Sequence, residues 1–88
     1  MAAEISDLLA AEVRTRRMAL GLTQEDLAAL AAVSERFVRF VEQGKPSIQL
    51  DSLTAVLETL GLELRLGTRT SKAANALTGR AGDQEAPA

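Results

Sequence analysis

The stretch TQEDLAALAAVSERFVRFVEQGKP, residues 23–46, carries the punctuation of two short helices. Thr23 places a capping hydroxyl ahead of Gln24, Glu25 and Asp26, and acidic side chains in a first turn complement the helix dipole. The pattern predicts a helix from Gln24 to about Ala31 that faces inward with Leu27, Ala28 and Leu30. A small side chain at Ala28 lets a neighbouring helix approach closely. Ser34 then caps a second helix, from Glu35 to about Gln43, which Gly44 and Pro46 stop.

Two helices of about two turns each, joined by three residues, make a helix-turn-helix. At 100° per residue, Val38 and Val41 fall together on the second helix with Glu42 at their edge, and that side faces the core. Arg36, Phe40 and Gln43 point the opposite way, with Arg39 on one flank and Phe37 on the other. Both phenylalanines of a chain without tryptophan or tyrosine therefore sit on this one helix, among its arginines.

Working outward, large apolar residues at 5, 9, 13 and 20, with Leu8 alongside, predict a helix ahead of the pair, ended by Gly21. Arg17 falls on its inward stripe, so a charge is to be buried there. Beyond the pair, Leu50, Leu53, Val56, Leu57 and Leu60 predict a fourth helix ending at Gly61. The period then changes. Leu62, Leu64 and Leu66 alternate with Glu63 and Arg65 between two glycines, which reads as a half-buried strand. A lone strand leaves its backbone groups unpaired, so its natural mate is the same strand of a second copy. A twofold axis through Leu64 sets Glu63 opposite Arg65, a favourable cross-strand pair. The other reading of 62–66 is a loop or a fifth helical turn. From Gly67 the chain is small and polar with Leu77 its single large apolar residue, so 67–88 is expected to be a mobile tail, with a short helix at 71–78 on binding a partner. The expected organisation is an all-α domain over 1–66, including the dimerising strand, followed by that tail.

Composition narrows the functions. A chain of 88 residues supports one small domain, and it has no cysteine for a disulfide staple. The absence of histidine and cysteine removes the commonest general base, nucleophile and zinc ligands, so no metal, cofactor or catalytic role is expected. The GKPS run at 44–47 is too short and proline-broken for a phosphate loop. No signal-like start and no apolar run of membrane-spanning length is present, which reads as a cytosolic protein with no membrane partner. The net charge of −2 argues weakly against a nucleic-acid binder, but distribution matters more than total. In the first sixty residues all positive charge comes from Arg14, Arg16, Arg17, Arg36, Arg39 and Lys45.

The run VRTRRMALGLTQEDLAALAAVSERFVRFVEQGKPSIQLDSLTAVLETLGL resembles the Cro/C1-type (XRE) helix-turn-helix family of phage repressors and bacterial regulators over roughly residues 10–62. The resemblance rests on R..LGLTQEDLA, the Val-Ser turn, V..VE.GK and the leucine-rich helix that ends in Leu-Gly-Leu. It implies a lambda-repressor-like domain of four or five helices. The short chain, the alternating strand and the loose tail look most like HipB-type antitoxins, which are dimeric repressors that also hold a HipA-type serine/threonine kinase toxin.

Site residues follow from that resemblance. Arg17 and Glu42 match a buried structural ion pair. Thr23 and Gln24 match positions that bind a backbone phosphate, and Ser34, Glu35, Arg36 and Arg39 match positions that reach base edges of a palindromic operator. Arg36 suits guanine, since a guanidinium fits the O6/N7 pair in a bidentate way. Arg39 either reads a base or holds a phosphate, and Gln43 and Lys45 suit phosphates. Phe40 either meets a thymine methyl or marks a protein contact. The plainer readings are that Ser34 is only a cap, that Arg36 and Arg39 form a solvated face with Glu35, and that Arg14 and Arg16 are solvated. One departure is Ala32, where the family commonly has glycine in a left-handed turn. A stand-alone regulator without a toxin is the alternative to the antitoxin reading.

Overall fold

The computed structural model describes residues 2–68 together with 73, 76 and 77. Its helices are α1 (Ala2–Ala19), α2 (Gln24–Ala31), α3 (Glu35–Glu42) and α4 (Leu50–Leu60), an all-α arrangement. Most of the helix expected at 71–78, and most of the expected tail, lie outside the described residues.

Every helix sends side chains to one core. Val13, Leu27, Val38, Val41, Val56 and Leu60 are fully buried, and Ala28, Ala31, Leu53 and Leu57 nearly so. Each large aliphatic side chain withdrawn from water in this way contributes about 1.5–3 kcal/mol. The valines at 38 and 41 face inward as the wheel predicts. Two details differ from the sequence reading. On α2 the inward residue after Ala28 is Ala31, while Leu30 stays exposed. Ala31 lies one turn beyond Leu27, and its methyl allows the close approach of α2 to α3 and α4. On α1 the buried line is Ser6, Val13 and, at its edge, Leu9, whereas Ile5, Leu8 and Leu20 are exposed. Apolar spacing alone could not separate these two faces of α1, because both repeat at helical intervals.

All four helices close in the same way. Beyond each helix a residue with positive φ donates its N–H three residues back, and the next residue donates five back. The pairs are Gly21 to Met18 and Leu22 to Arg17, Ala32 to Ala29 and Val33 to Ala28, Gly44 to Val41 and Lys45 to Phe40, and Gly61 to Glu58 and Leu62 to Leu57. This double closure satisfies carbonyls that a helix end leaves open. Glycine occupies the left-handed position three times, and Ala32, with φ 59° and ψ 40°, occupies it once. A left-handed alanine carries about 1–2 kcal/mol of steric cost. Glycine would lose about 0.4–1 kcal/mol of that gain to its freer unfolded chain. Ala32→Gly is therefore expected to stabilise the domain by about 0.5–1 kcal/mol, a rise of a few degrees in melting temperature. A fall in melting temperature would mean that the Ala32 methyl makes a contact worth more than its strain.

After Gly61, residues 62–68 carry no regular secondary structure in the single chain. Among the described residues there is no second strand to complete a ladder with 62–66. Arg65 donates to the Glu63 carboxylate through Nε at 2.8 Å and Nη2 at 2.6 Å. Side chains two residues apart share a face in extended chain, not in a helix.

Candidate nucleic-acid interface

The orientation of α3 is fixed from behind by a polar hub. Arg17 reaches from α1 to Glu42 at the end of α3, with Nε 2.7 Å from Oε2 and Nη2 3.0 Å from Oε1. Its remaining nitrogen donates to the carbonyl of Leu22 at 2.9 Å, and the Gln24 side chain donates to Glu42 Oε1 at 3.1 Å. The two charged side chains are only 13% and 5% exposed. Hydrogen bonding to Glu42 raises the Arg17 pKa above its ordinary value, against the opposing effect of burial. Planar, bidentate pairing of this kind sets direction as well as distance. One hub thus joins α1, the α1–α2 turn, the start of α2 and the end of α3.

Neighbouring Arg16 does a different task. Its Nε donates to the Leu60 carbonyl at 2.8 Å, placing a cation at the C-terminus of α4. The exposed carbonyls and the helix dipole both favour it there. Arg16 is exposed, as expected, and this bond gives it a structural contact as well.

On its outer side, α3 is built for contact. The Ser34 hydroxyl accepts from the Phe37 amide at 2.9 Å, capping the helix, and its own proton remains free to donate outward. Arg36, Arg39, Phe40, Gln43 and Lys45 line one shallow groove. Arg36 and Phe40 also line a second, with Ser34, Phe37, Ser47 and Gln49. Arg36 and Phe40 are therefore the ridge between the two. Phe40 is half-buried, and the Lys45 ammonium stands 6.0 Å from its ring centroid. Phe37 packs against the core.

The charges on this face are not equivalent. Arg39 is held by Glu35 at 3.0 Å, one helical turn away, with both side chains about half exposed. An exposed pair of that kind contributes about 0–1 kcal/mol, so an incoming phosphate or base separates it at little cost. Arg36 has no carboxylate partner among the described residues, and its guanidinium is fully available.

At the start of α2, Thr23 and Asp26 cap each other: the Thr23 hydroxyl accepts from the Asp26 amide, and the Asp26 carboxylate accepts from the Thr23 amide, both at 2.9 Å. The backbone bond from Thr23 holds the Asp26 carboxyl below its ordinary pKa. The structure thus brings Ser34, Arg36, Arg39, Phe40, Gln43 and Lys45 together and leaves Thr23 and Gln24 outside both grooves. The Thr23 amide and one Gln24 amide proton are engaged within the chain. Ser47 and Gln49 were not singled out from the sequence. Ser47 follows a proline and has φ 63°, and this turn swings the α3–α4 loop beside the outer face of α3.

A pair of short helices in fixed register, one of which turns an arginine-bearing face to solvent, defines a helix-turn-helix DNA-binding domain. The chain matches the Helix-turn-helix family over residues 13–66 and belongs to that family, in its Cro/C1 (XRE) branch. It is also 39% identical over 56 residues, 64% of this chain and 74% of the relative, to a protein of Sinorhizobium fredii (strain NBRC 101917 / NGR234). That relative is named as the uncharacterized HTH-type transcriptional regulator y4mF. No helix among the described residues is long and apolar enough to cross a membrane.

Proposed function

We propose that this protein is a sequence-specific DNA-binding transcriptional repressor that acts as a homodimer in the bacterial cytoplasm. Two copies of α3 enter successive major grooves of a palindromic operator, about 34–36 Å apart. The observation that carries this reading is the outer face of α3, where Arg36, unpaired among the described residues, lightly held Arg39 and Lys45 surround Phe40. Arg36 reads guanine, and Ser34, Glu35 and Arg39 contact bases or phosphates beside it. Phe40 lies against a thymine methyl, while Gln43, Lys45 and the start of α2 at Thr23 and Gln24 meet the backbone. Dimerisation runs through Leu62, Glu63, Leu64, Arg65 and Leu66. By its likeness to HipB-type antitoxins, the repressor also neutralises a HipA-like serine/threonine kinase and controls its own operon. A stand-alone regulator is the alternative, and a kinase gene adjoining this one distinguishes the two.

The reading is tested by selecting bound duplexes from a random pool and titrating the selected palindrome at several salt concentrations. Affinity should fall steeply with salt, because the chain is acidic overall and binding depends on local cations releasing counterions. Weak, salt-dependent binding with no enriched sequence would overturn it. Phe40→Ala should weaken binding to the selected site about five- to tenfold while leaving the melting temperature nearly unchanged. A marked fall in melting temperature with unchanged affinity would make Phe40 a core residue.

A further inference from the structure

We propose that Leu66 of one copy of this chain seats in the groove between α1 and α4 of a second copy. The inference rests on the homodimer reading above and goes beyond it by naming what each copy inserts and where. The groove has a volume of about 230 Å³ and is lined by leucines 8, 9, 57, 62 and 64, with Glu12 and Glu63 at its rim. Its walls are mostly leucine, yet Leu8 is 65% exposed and Leu64 is 50% exposed. Two residues further on, Leu66 is completely exposed. The chain thus leads past its own groove and leaves Leu66 in solvent.

The departure point of this segment is fixed. Gly61 and Leu62 close α4, and Leu62 packs against the core beside the groove. Once this segment pairs as a strand, the leucines at 62, 64 and 66 share one face, and Glu63 leaves the groove rim to share the other with Arg65. Charge then selects the register of an antiparallel pair. With Leu64 opposite itself, Leu66 lies opposite Leu62 of the second copy, and Glu63 lies opposite Arg65. A shift that keeps the leucines together but moves the centre to Glu63 or Arg65 sets two glutamates or two arginines directly opposite each other. A shift by one residue puts leucines against charges. Only the register centred on Leu64 satisfies both faces. Since Leu62 lines the groove, the opposing Leu66 arrives at its mouth, and the exchange happens twice by symmetry. The Glu63–Arg65 contact seen within the chain is then replaced by two such contacts between chains.

Sedimentation of the full chain over a range of concentrations tests this. Leu66→Glu should raise the dimer dissociation constant about a hundredfold or more, because two leucines per dimer leave an apolar site. Leu66→Met should leave it nearly unchanged, and the circular dichroism of both variants should match the parent, since Leu66 is fully exposed and outside the core among the described residues. The protein has no cysteine, so introduced thiols report geometry cleanly. A mixture of Leu62→Cys and Leu66→Cys chains should form a disulfide between copies on oxidation, and Leu64→Cys should do so alone. A dimer that Leu66→Glu leaves intact overturns the Leu66 docking but not the homodimer. A chain that stays monomeric at all concentrations overturns both.

Discussion

Glu42→Ala should lower the stability of the domain by about 3–5 kcal/mol, the largest loss expected of any single substitution here. The cost arises because removal of the carboxylate strands the Arg17 guanidinium, which is 13% exposed and makes both of its bonds to acid through Glu42. Gln24 loses its acceptor in the same step. For a domain of this size that loss corresponds to a fall of more than about 10 °C in melting temperature. The double variant Arg17→Met with Glu42→Leu should recover much of it, because no charge is then buried. The Leu22 carbonyl, which Arg17 also serves, keeps the recovery short of complete. A thermal-melt cycle decides the matter: additive losses would show that Arg17 and Glu42 do not act as a unit. Such a cycle also bears on recognition, since the hub aims α3 and a loosened hub should lower operator affinity even where folding survives.

Arg36→Ala should weaken operator binding by about 1–3 kcal/mol, roughly five- to 150-fold. Arg36 is the guanidinium on the α3 face that no carboxylate among the described residues holds, so none of them competes with the DNA for it. The expected signature is loss of preference at one position in each half-site when binding sites are selected afresh. Arg36→Lys should not restore it, because an ammonium cannot make the paired bonds of a planar fork. Lys45→Ala serves as the contrast: a phosphate contact should weaken all sequences alike and reduce the salt slope by about one. If Arg36→Ala behaves like Lys45→Ala, Arg36 is a backbone contact and base reading falls to other residues.

Much of this molecule is legible in one dimension because its boundaries are local events. Thr23 and Ser34 cap α2 and α3 where the sequence places them, and Gly21, Gly44 and Gly61 stand at the left-handed closures. The inward sets of α3 and of most of α4 follow from periodicity. Leu50 is the exception, since it opens α4 before the helix reaches its neighbours and stays exposed. What periodicity misses is direction among competing apolar faces. Leu30 and Ala31 are adjacent, and only the close approach of neighbouring helices favours the methyl. Ile5 and Leu8 repeat as regularly as Leu9 and Val13, yet α1 buries Val13 and packs Leu9 at the core's edge. Within the candidate site, α3 was readable because one helix carries most of it. The bond from Arg16 to Leu60 was not, since it joins residues 44 positions apart. Neither was the place of Ser47 and Gln49, whose side of the molecule depends on a loop conformation that no repeat encodes.

Arg16 and Arg17 are neighbours on α1 that clamp different partners, the end of α4 through Leu60 and the end of α3 through Glu42. One turn of one helix therefore acts as the rivet of a caliper. Helix α3 and the origin of the 62–66 segment are pinned to the same point, so in the proposed dimer the distance between the two copies of α3 would be a mechanical constant rather than an adjustable gap. Each base pair inserted between half-sites turns one of them by about a tenth of a revolution. A caliper with no slack would measure the spacing of the proposed palindrome as well as its letters.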